Sequence, residues 1–281
     1  MNPGRLFVWL QYLLPQHALS RLVLRAARVR SPRFKNWLVR GFLKLYAVDM
    51  TEAAEPNPLR YGSFNEFFTR ALKTGARPIA QDPRAIACPA DGVISEAGTI
   101  EGDTLLQAKD RRYTLRELLA ARPWASRFEG GSFATIYLAP FNYHRVHMPL
   151  AGQLKETVYV PGRLFSVNAA TASHVPKLFA RNERVLTLFD AACGEFALIL
   201  VGALNVGSIA TVWSGDVTPA ARRVLTVLPL QRCAFPKGAE LGRFNMGSTV
   251  ILLFAARRAR WHAGVHAGQS VRLGESLGTL E

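Results

Sequence analysis

Three short stretches carry residues that could do chemistry together. Gly242 and Gly247 relax the backbone, and Thr249-Val250-Ile251-Leu252-Leu253-Phe254 is a β-branched and apolar run of strand length. The pattern therefore places Ser248 at a loop-to-strand junction. A serine hydroxyl is a weak nucleophile until a base takes its proton, and a histidine held by a carboxylate is the usual device. Pro89-Ala90-Asp91-Gly92 offers the carboxylate in a tight turn, and Tyr143-His144-Arg145-Val146-His147 offers two imidazoles just after a strand-like run. Asp91, His147 and Ser248 thus supply acid, base and nucleophile in chain order. Order alone proves nothing, because a triad is defined by geometry, and a Gly-Ser pair by itself is ordinary turn punctuation.

With Phe64-Asn65-Glu66-Phe67-Phe68-Thr69-Arg70 and Pro161-Gly162-Arg163-Leu164-Phe165-Ser166-Val167-Asn168, these stretches resemble the phosphatidylserine decarboxylase family, motif by motif and in order over nearly the whole chain. Proenzymes of that family cut themselves at a Gly-Ser bond to make a pyruvoyl group. One departure is visible: the family usually has Leu before Gly-Ser-Thr, and Met246 stands here, a swap that keeps volume and apolarity.

The resemblance implies that Ser248 attacks the carbonyl of Gly247, giving an ester that β-eliminates and hydrolyses to a pyruvoyl group at position 248. A residue without Cβ at 247 lets the hydroxyl approach its own preceding carbonyl. The chain would divide into residues 1–247 and 248–281, which stay associated. The pyruvoyl ketone would condense with the amine of phosphatidylserine and draw electrons as carbon dioxide leaves, a role pyridoxal phosphate plays elsewhere. Neither pyridoxal phosphate nor a metal is expected. By the same resemblance His144 reprotonates the carbanion and the protein is a homodimer. Tyr137, on the strand leading into the histidines, and Arg163 and Ser166 in the segment 161–168 are expected to line the substrate pocket. Arg70 could hold a phosphate or an internal carboxylate, and the sequence favours the carboxylate.

Other chemistries fit less well. His144 and His147 are three apart, yet His17, His174, His262 and His266 form no obvious set with them for a metal. A serine hydrolase that keeps its hydroxyl is the competing reading, but Met246-Gly247-Ser248-Thr249-Val250 lacks the second glycine of a nucleophile elbow. Cys88, Cys193 and Cys233 are odd in number and lack zinc or disulfide spacing, which suits a reducing setting. Cys88, three residues before Asp91, reads as a small buried hydrophobe.

The elements that must position these residues fall into two regions. Of the formal net charge of +15 in 281 residues, nine Lys or Arg and no Asp or Glu lie in residues 1–48. There Leu19, Leu22, Val23, Ala26 and Ala27 recur at helical spacing among Arg21, Arg25 and Arg28, and after Ser31-Pro32 a second helix carries Trp37, Leu38, Phe42, Leu43 and Leu45 among Arg33, Lys35, Arg40 and Lys44. Basic helices with aromatic faces suit the interface of an anionic membrane. Nucleic acid is the weaker explanation of the charge, since the excess sits on apolar-faced helices. The run Leu6–Leu14 is too short to span a bilayer, so residues 1–50 read as a peripheral membrane-docking region, and the resemblance implies the cytoplasmic side of the inner membrane.

Pro56 and Pro58 mark a linker into a catalytic region over 51–281. Ser63 with Glu66 predicts a capping box for a helix through Leu72, and Thr114 with Glu117 predicts another for a helix to Ala121. Short strands are expected at 92–98, 132–138, 156–160, 184–189 and 195–201. The glycine-turned tail 264–278 looks like a lipoyl-type hybrid barrel, but no lysine follows Lys237 to carry a lipoyl or biotinyl group. The fold class is α+β: N-terminal amphipathic helices, then a β-rich core with hybrid-barrel character.

Overall fold

A computed structural model describes residues 3–108, 111–204, 208–220, 223–229, 233–246 and 248–281. Gly247, the predicted acyl side of the cleaved bond, lies outside them.

Three helices open the chain, α1 (Pro3–Leu13), α2 (Gln16–Ala27) and α3 (Pro32–Leu45), with Pro32 in the first turn of the third, where its missing N–H costs nothing. A β-rich core follows, as the sequence predicts. Among the described residues no helix is long and apolar enough to cross a membrane.

The core is organised on an antiparallel sheet whose central strand is Ser248–Phe254. This strand pairs with Gly194–Val201 on one side and Ser132–Leu138 on the other, and all seven of its residues are buried. Its apolar run has no polar alternation because both sheet faces are covered. Ile251 and Leu253 join one core cluster with Leu186, Leu188 and Ile199, whereas Val250, Leu252 and Phe254 join the other with Ile94, Ile136 and Leu200. Each such side chain contributes roughly 1.5–3 kcal/mol by leaving water. The sheet path continues outward through Gly92–Thr99 to Ser270–Val271 and, on the other side, through Arg184–Ala191 and Gly152–Val160. Among the described residues no pairing joins the two ends of this path, so the order is open. The tail supplies Ala259–Trp261 and Ser276–Leu280, the second pairing with Ala85–Ala87.

Of the two capping boxes expected, one forms completely and the other only as an N-cap. Thr114 and Glu117 form a complete capping box, but the helix they start is only Leu115–Leu118. Ser63 Oγ accepts from the Glu66 amide at the start of α4 (Phe64–Phe68), whereas the Glu66 carboxylate takes the Gly62 amide. That helix ends at Phe68 and not at Leu72, because Thr69 leaves helical geometry and its hydroxyl turns back to the Asn65 carbonyl.

The N-terminal helices are pinned to the core by polar side chains that periodicity could not flag. Gln16 Oε1 accepts from the Leu164 amide at 2.9 Å and Gln11 Oε1 from the Ser166 amide at 2.8 Å, so two buried glutamines satisfy the backbone of a non-sheet segment. Lys35, expected on the basic rim of α3, is buried and donates to the Leu59 carbonyl at 2.8 Å. Phe64, Phe67 and Phe68 pack with Ala27 and Val39 in a small third cluster, against which Met246 also rests.

Candidate active site

Ser248 is the first residue of the central strand, opposite Leu138, and is wholly buried. Among the described residues its hydroxyl has no hydrogen-bond partner. An unpaired buried hydroxyl forfeits about 1–3 kcal/mol, so such a group calls for a reason beyond stability. Beyond Leu138 the chain turns through Pro140-Phe141-Asn142, with Asn142 Oδ1 accepting from the Ala139 amide, and delivers the two histidines alongside the strand that precedes Ser248. The His144 carbonyl accepts from the Phe244 amide at 3.0 Å, and Arg145–His147 pairs with Glu240–Phe244.

His144 is fully buried and stacked on Phe68, ring centroids 4.1 Å apart at 20°. Nε2 donates to the Pro140 carbonyl at 3.3 Å, leaving Nδ1 as a buried lone pair with no partner among the described residues. Burial, helped by the charge of Arg70, pushes its pKa down to about 3, so the ring is neutral.

His147 has both ring nitrogens engaged. The Gly238 carbonyl, 2.8 Å from Nδ1, can only accept, which puts the proton on Nδ1; Nε2 then accepts from the Tyr143 hydroxyl at 3.1 Å. That is the tautomer a general base working through Nε2 requires. Burial lowers the pKa of His147 and raises that of Tyr143 to about 12.

Asp91 sits in its predicted turn, bound to Arg77 through Nε at 2.9 Å and Nη2 at 2.6 Å and to the Leu273 amide at 2.8 Å. The turn itself touches the histidine strand, since the His147 amide donates to the Pro89 carbonyl at 2.8 Å. The fold thus brings the Asp91 turn, His147 and the Ser248 strand to one end of the sheet. It does not join their side chains: the carboxylate is held by Arg77, and His147 by Tyr143 and Gly238. A polar cavity of about 280 Å³ opens there, lined by Asp91, Arg77, Glu52, Arg70, Tyr143 and Arg272.

Arg70 corrects an expectation. Among the described residues no carboxylate pairs with it; it donates to the Phe141 carbonyl at 3.2 Å, lies over the Phe67 ring and leaves Nε unbonded in a buried position.

Tyr137 lies between Val93 and Thr249 on the adjoining strand, and burial raises its pKa. Arg163 is exposed, and Ser166 spends its hydroxyl on Thr171 at 2.6 Å and its amide on Gln11. Neither lines the polar cavity. A second, almost entirely apolar groove of about 460 Å³ lies between α2 and α3, and Met246, two residues before Ser248, forms part of its wall beside Val23, Trp37 and Phe42.

Comparison with known sequences decides the family. A sequence model described as phosphatidylserine decarboxylase matches residues 64–279, and one described as PSD matches residues 6–47. The chain belongs to the phosphatidylserine decarboxylase family. The phosphatidylserine decarboxylase proenzyme of Methylococcus capsulatus is 54% identical over 280 residues, covering 99% of this chain and 97% of the relative. That of Pseudomonas aeruginosa is 54% identical over 278 residues, with 97% and 96% covered, and that of Bordetella bronchiseptica 53% identical over 278 residues, with 97% and 94% covered.

Within this phosphatidylserine decarboxylase family member, sequence reasoning missed Arg77 and Tyr143 as the partners of Asp91 and His147. Tyr143 precedes His147 by four residues, the one signal that could have marked it; nothing local marks Arg77 as the partner of Asp91. Cys88 is fully buried, its thiol pKa raised by that burial, as befits a core residue. Among the described residues no group of three or more His, Cys, Asp or Glu side chains could hold a metal.

Proposed function

We propose that this chain is a self-processing decarboxylase that converts phosphatidylserine to phosphatidylethanolamine at an anionic membrane surface, with Ser248 as the residue that becomes the pyruvoyl group. The observation that carries the reading is the buried, unpartnered hydroxyl of Ser248 at the head of the central strand. Relatives named proenzymes over the whole length support it.

In the processing step His147 Nε2, freed from Tyr143, takes the Ser248 proton while Asp91 lends negative charge to that end of the sheet. Oγ forms a bond to the Gly247 carbonyl carbon, the C–N bond breaks, and the amine of residue 248 takes up the proton, leaving an ester. Loss of the Ser248 Cα proton expels the Gly247 carboxylate and gives dehydroalanine; water then replaces its nitrogen, which leaves as ammonia. Chains 1–247 and 248–281 result, and the antiparallel pairing of Ser248–Phe254 with both neighbours keeps them together. The residues fit the group: a buried position with no competing hydrogen bond preserves a reactive ketone from water.

The pyruvoyl ketone, once formed, supplies the electron sink for loss of carbon dioxide. His144 is the proton-handling residue beside it. Nδ1 is an unshared lone pair, and an anionic head group near this buried ring favours its protonation, against the burial that keeps it neutral. Tyr137, Arg163 and Ser166 remain the proposed substrate contacts, and the protein is proposed to act as a homodimer.

Exposed Trp9, Leu13, Leu22, Trp37 and Leu45 on α1, α2 and α3, among arginines and lysines, support peripheral docking on the cytoplasmic face of the inner membrane. The apolar groove walled by Met246 gives acyl chains a path toward the reacting bond.

Intact mass of the denatured protein tests the reading. A C-terminal fragment of 34 residues, roughly 4 kDa at about 110 Da per residue, with an ammonia-depleted N-terminus and absent from Ser248→Ala, is expected. A single uncut chain in both proteins defeats it in favour of a hydrolase that keeps its hydroxyl.

A further inference from the structure

Asn245 stands two residues before the Gly247-Ser248 bond and is only 2% exposed. Its amide donates to the Ser208 carbonyl at 2.8 Å, its Nδ2 to Ser208 Oγ at 2.5 Å and to Asp216 Oδ1 at 3.3 Å, and its Oδ1 accepts from Asn65 Nδ2 at 3.0 Å. The partners are themselves tied, since Ser208 Oγ donates to Asp216 Oδ1 at 2.9 Å and Arg28, the residue after α2, donates to Asp216 Oδ2 at 2.6 Å. Ser208, Asp216 of the Gly215–Asp216 strand and Asn65 of α4 therefore converge on one asparagine, and Arg28 is linked to it only through Asp216.

The residue after this clamp is Met246, at φ 104°. A side chain with Cβ is strained at that angle, whereas glycine is not. Met246 is also held from its side-chain end, packed against the cluster of Phe64, Phe67 and Phe68. The chain is thus fixed on the upstream side by Asn245 and on the downstream side by the central strand that Ser248 begins.

We propose that Asn245 is a positioning residue for self-cleavage: its hydrogen bonds hold Met246 at positive φ, and the strain so stored is released as the Gly247-Ser248 bond is cut. This rests on the reading of Ser248 as the self-processing residue. No further reactant is involved, because the C–O bond forms and the C–N bond breaks within the chain and the hydroxyl proton ends on the freed amine. Cleavage frees the upstream end from the strand, so the strained torsion raises the uncut state and not the product.

The test is a pulse-chase of the full chain made by cell-free synthesis, following the large and small fragments for the wild type, Ser248→Ala, Asn245→Ala, Met246→Ala, Met246→Gly and the double variant Asn245→Ala/Met246→Gly. Met246→Ala and Met246→Gly both lose the packing, but only glycine relaxes the torsion. We expect Met246→Gly to cleave about tenfold more slowly than Met246→Ala, the rate equivalent of about 1.36 kcal/mol. Asn245→Ala should slow cleavage by a similar factor, and the double variant should be no slower than Asn245→Ala, because strain already released cannot be released again. A merely structural asparagine gives no such coupling. Melting each variant in the Ser248→Ala background separates loss of fold from loss of rate. If the wild type stays uncut like Ser248→Ala, the self-processing reading fails and takes this proposal with it. If the wild type is cut but Asn245→Ala matches its rate, or the losses in the double variant simply multiply, the clamp alone is overturned.

Discussion

The Tyr143 hydroxyl lies 3.1 Å from Nε2 of His147 and occupies the lone pair that a general base would use. Gly238 fixes the other nitrogen as the donor, so removing the phenol leaves the tautomer intact and the lone pair open. Tyr143→Phe should therefore self-cleave at least as fast as the wild type while losing about 1 kcal/mol of stability for one hydrogen bond. Time courses of fragment appearance check this. A tenfold or greater slowing would show instead that the phenol relays the proton.

Neutral, buried His144 makes the fold acid-sensitive in a defined window. Its folded pKa, about 3, lies below the ordinary value of 6.5, so between those values the unfolded chain binds a proton that the folded chain refuses. Its contribution is complete above pH 6.5 and declines as pH falls toward 3, by roughly 1.4 kcal/mol per pH unit. Urea midpoints of uncleaved Ser248→Ala across this range should fall more steeply than those of the same protein carrying His144→Asn. Equal slopes would mean that His144 is not the buried neutral group described.

How much of this could be read from the sequence depends on whether the signal was local. The strands at 92–98, 132–138, 184–189 and 195–201 were legible because β-branched runs bounded by turn residues leave little choice of conformation. Asp91, His147 and Ser248 stood out through residue type and order. Their partners did not: Arg77 reaches Asp91 from 14 residues away, Asn245 meets Asn65 across 180, and Gln16 caps Leu164 across 148. Such contacts follow from tertiary packing, and a buried glutamine on a helix looks in sequence like a solvated one. The overlong α4 was misread for the opposite reason, a sound local start signal with no local account of where Thr69 would end it.

Arg77 and Asp91 form a buried pair, their side chains 8% and 9% exposed. Removing one partner from such a pair typically costs about 3–5 kcal/mol, because the other charge is left without compensation. The two substitutions are unequal here. Arg77 keeps Glu52 at 2.8 Å when Asp91 is neutralised, whereas among the described residues Asp91 keeps only the Leu273 amide when the arginine goes. Urea denaturation should show Arg77→Met losing more stability than Asp91→Asn. The reverse order would assign the main counter-ion of Asp91 elsewhere.

Arg33 and Arg40 flank Trp37 on the solvent side of α3, and Trp37 and Leu45 are 68% and 78% exposed. Aromatic and aliphatic side chains left in water beside exposed cations gain most where an apolar layer lies beneath an anionic one. Each basic residue near such a surface contributes about 1 kcal/mol, so replacing both arginines with alanine should weaken binding to phosphatidylserine-containing vesicles about thirtyfold. Trp37→Ser/Leu45→Ser should also weaken it, but through the apolar term, and so with less dependence on salt. Raising ionic strength from about 0.1 M to 1 M shortens the screening length from about 10 Å to 3 Å and should weaken the wild type by at least the arginine loss, and the arginine variant by less, since fewer of its cations are left to screen. Sedimentation with vesicles of graded anionic content measures both. Binding by the wild type that ignores both salt and lipid charge would refute the electrostatic half of the docking surface, and binding that survives the serine pair unchanged would refute the apolar half.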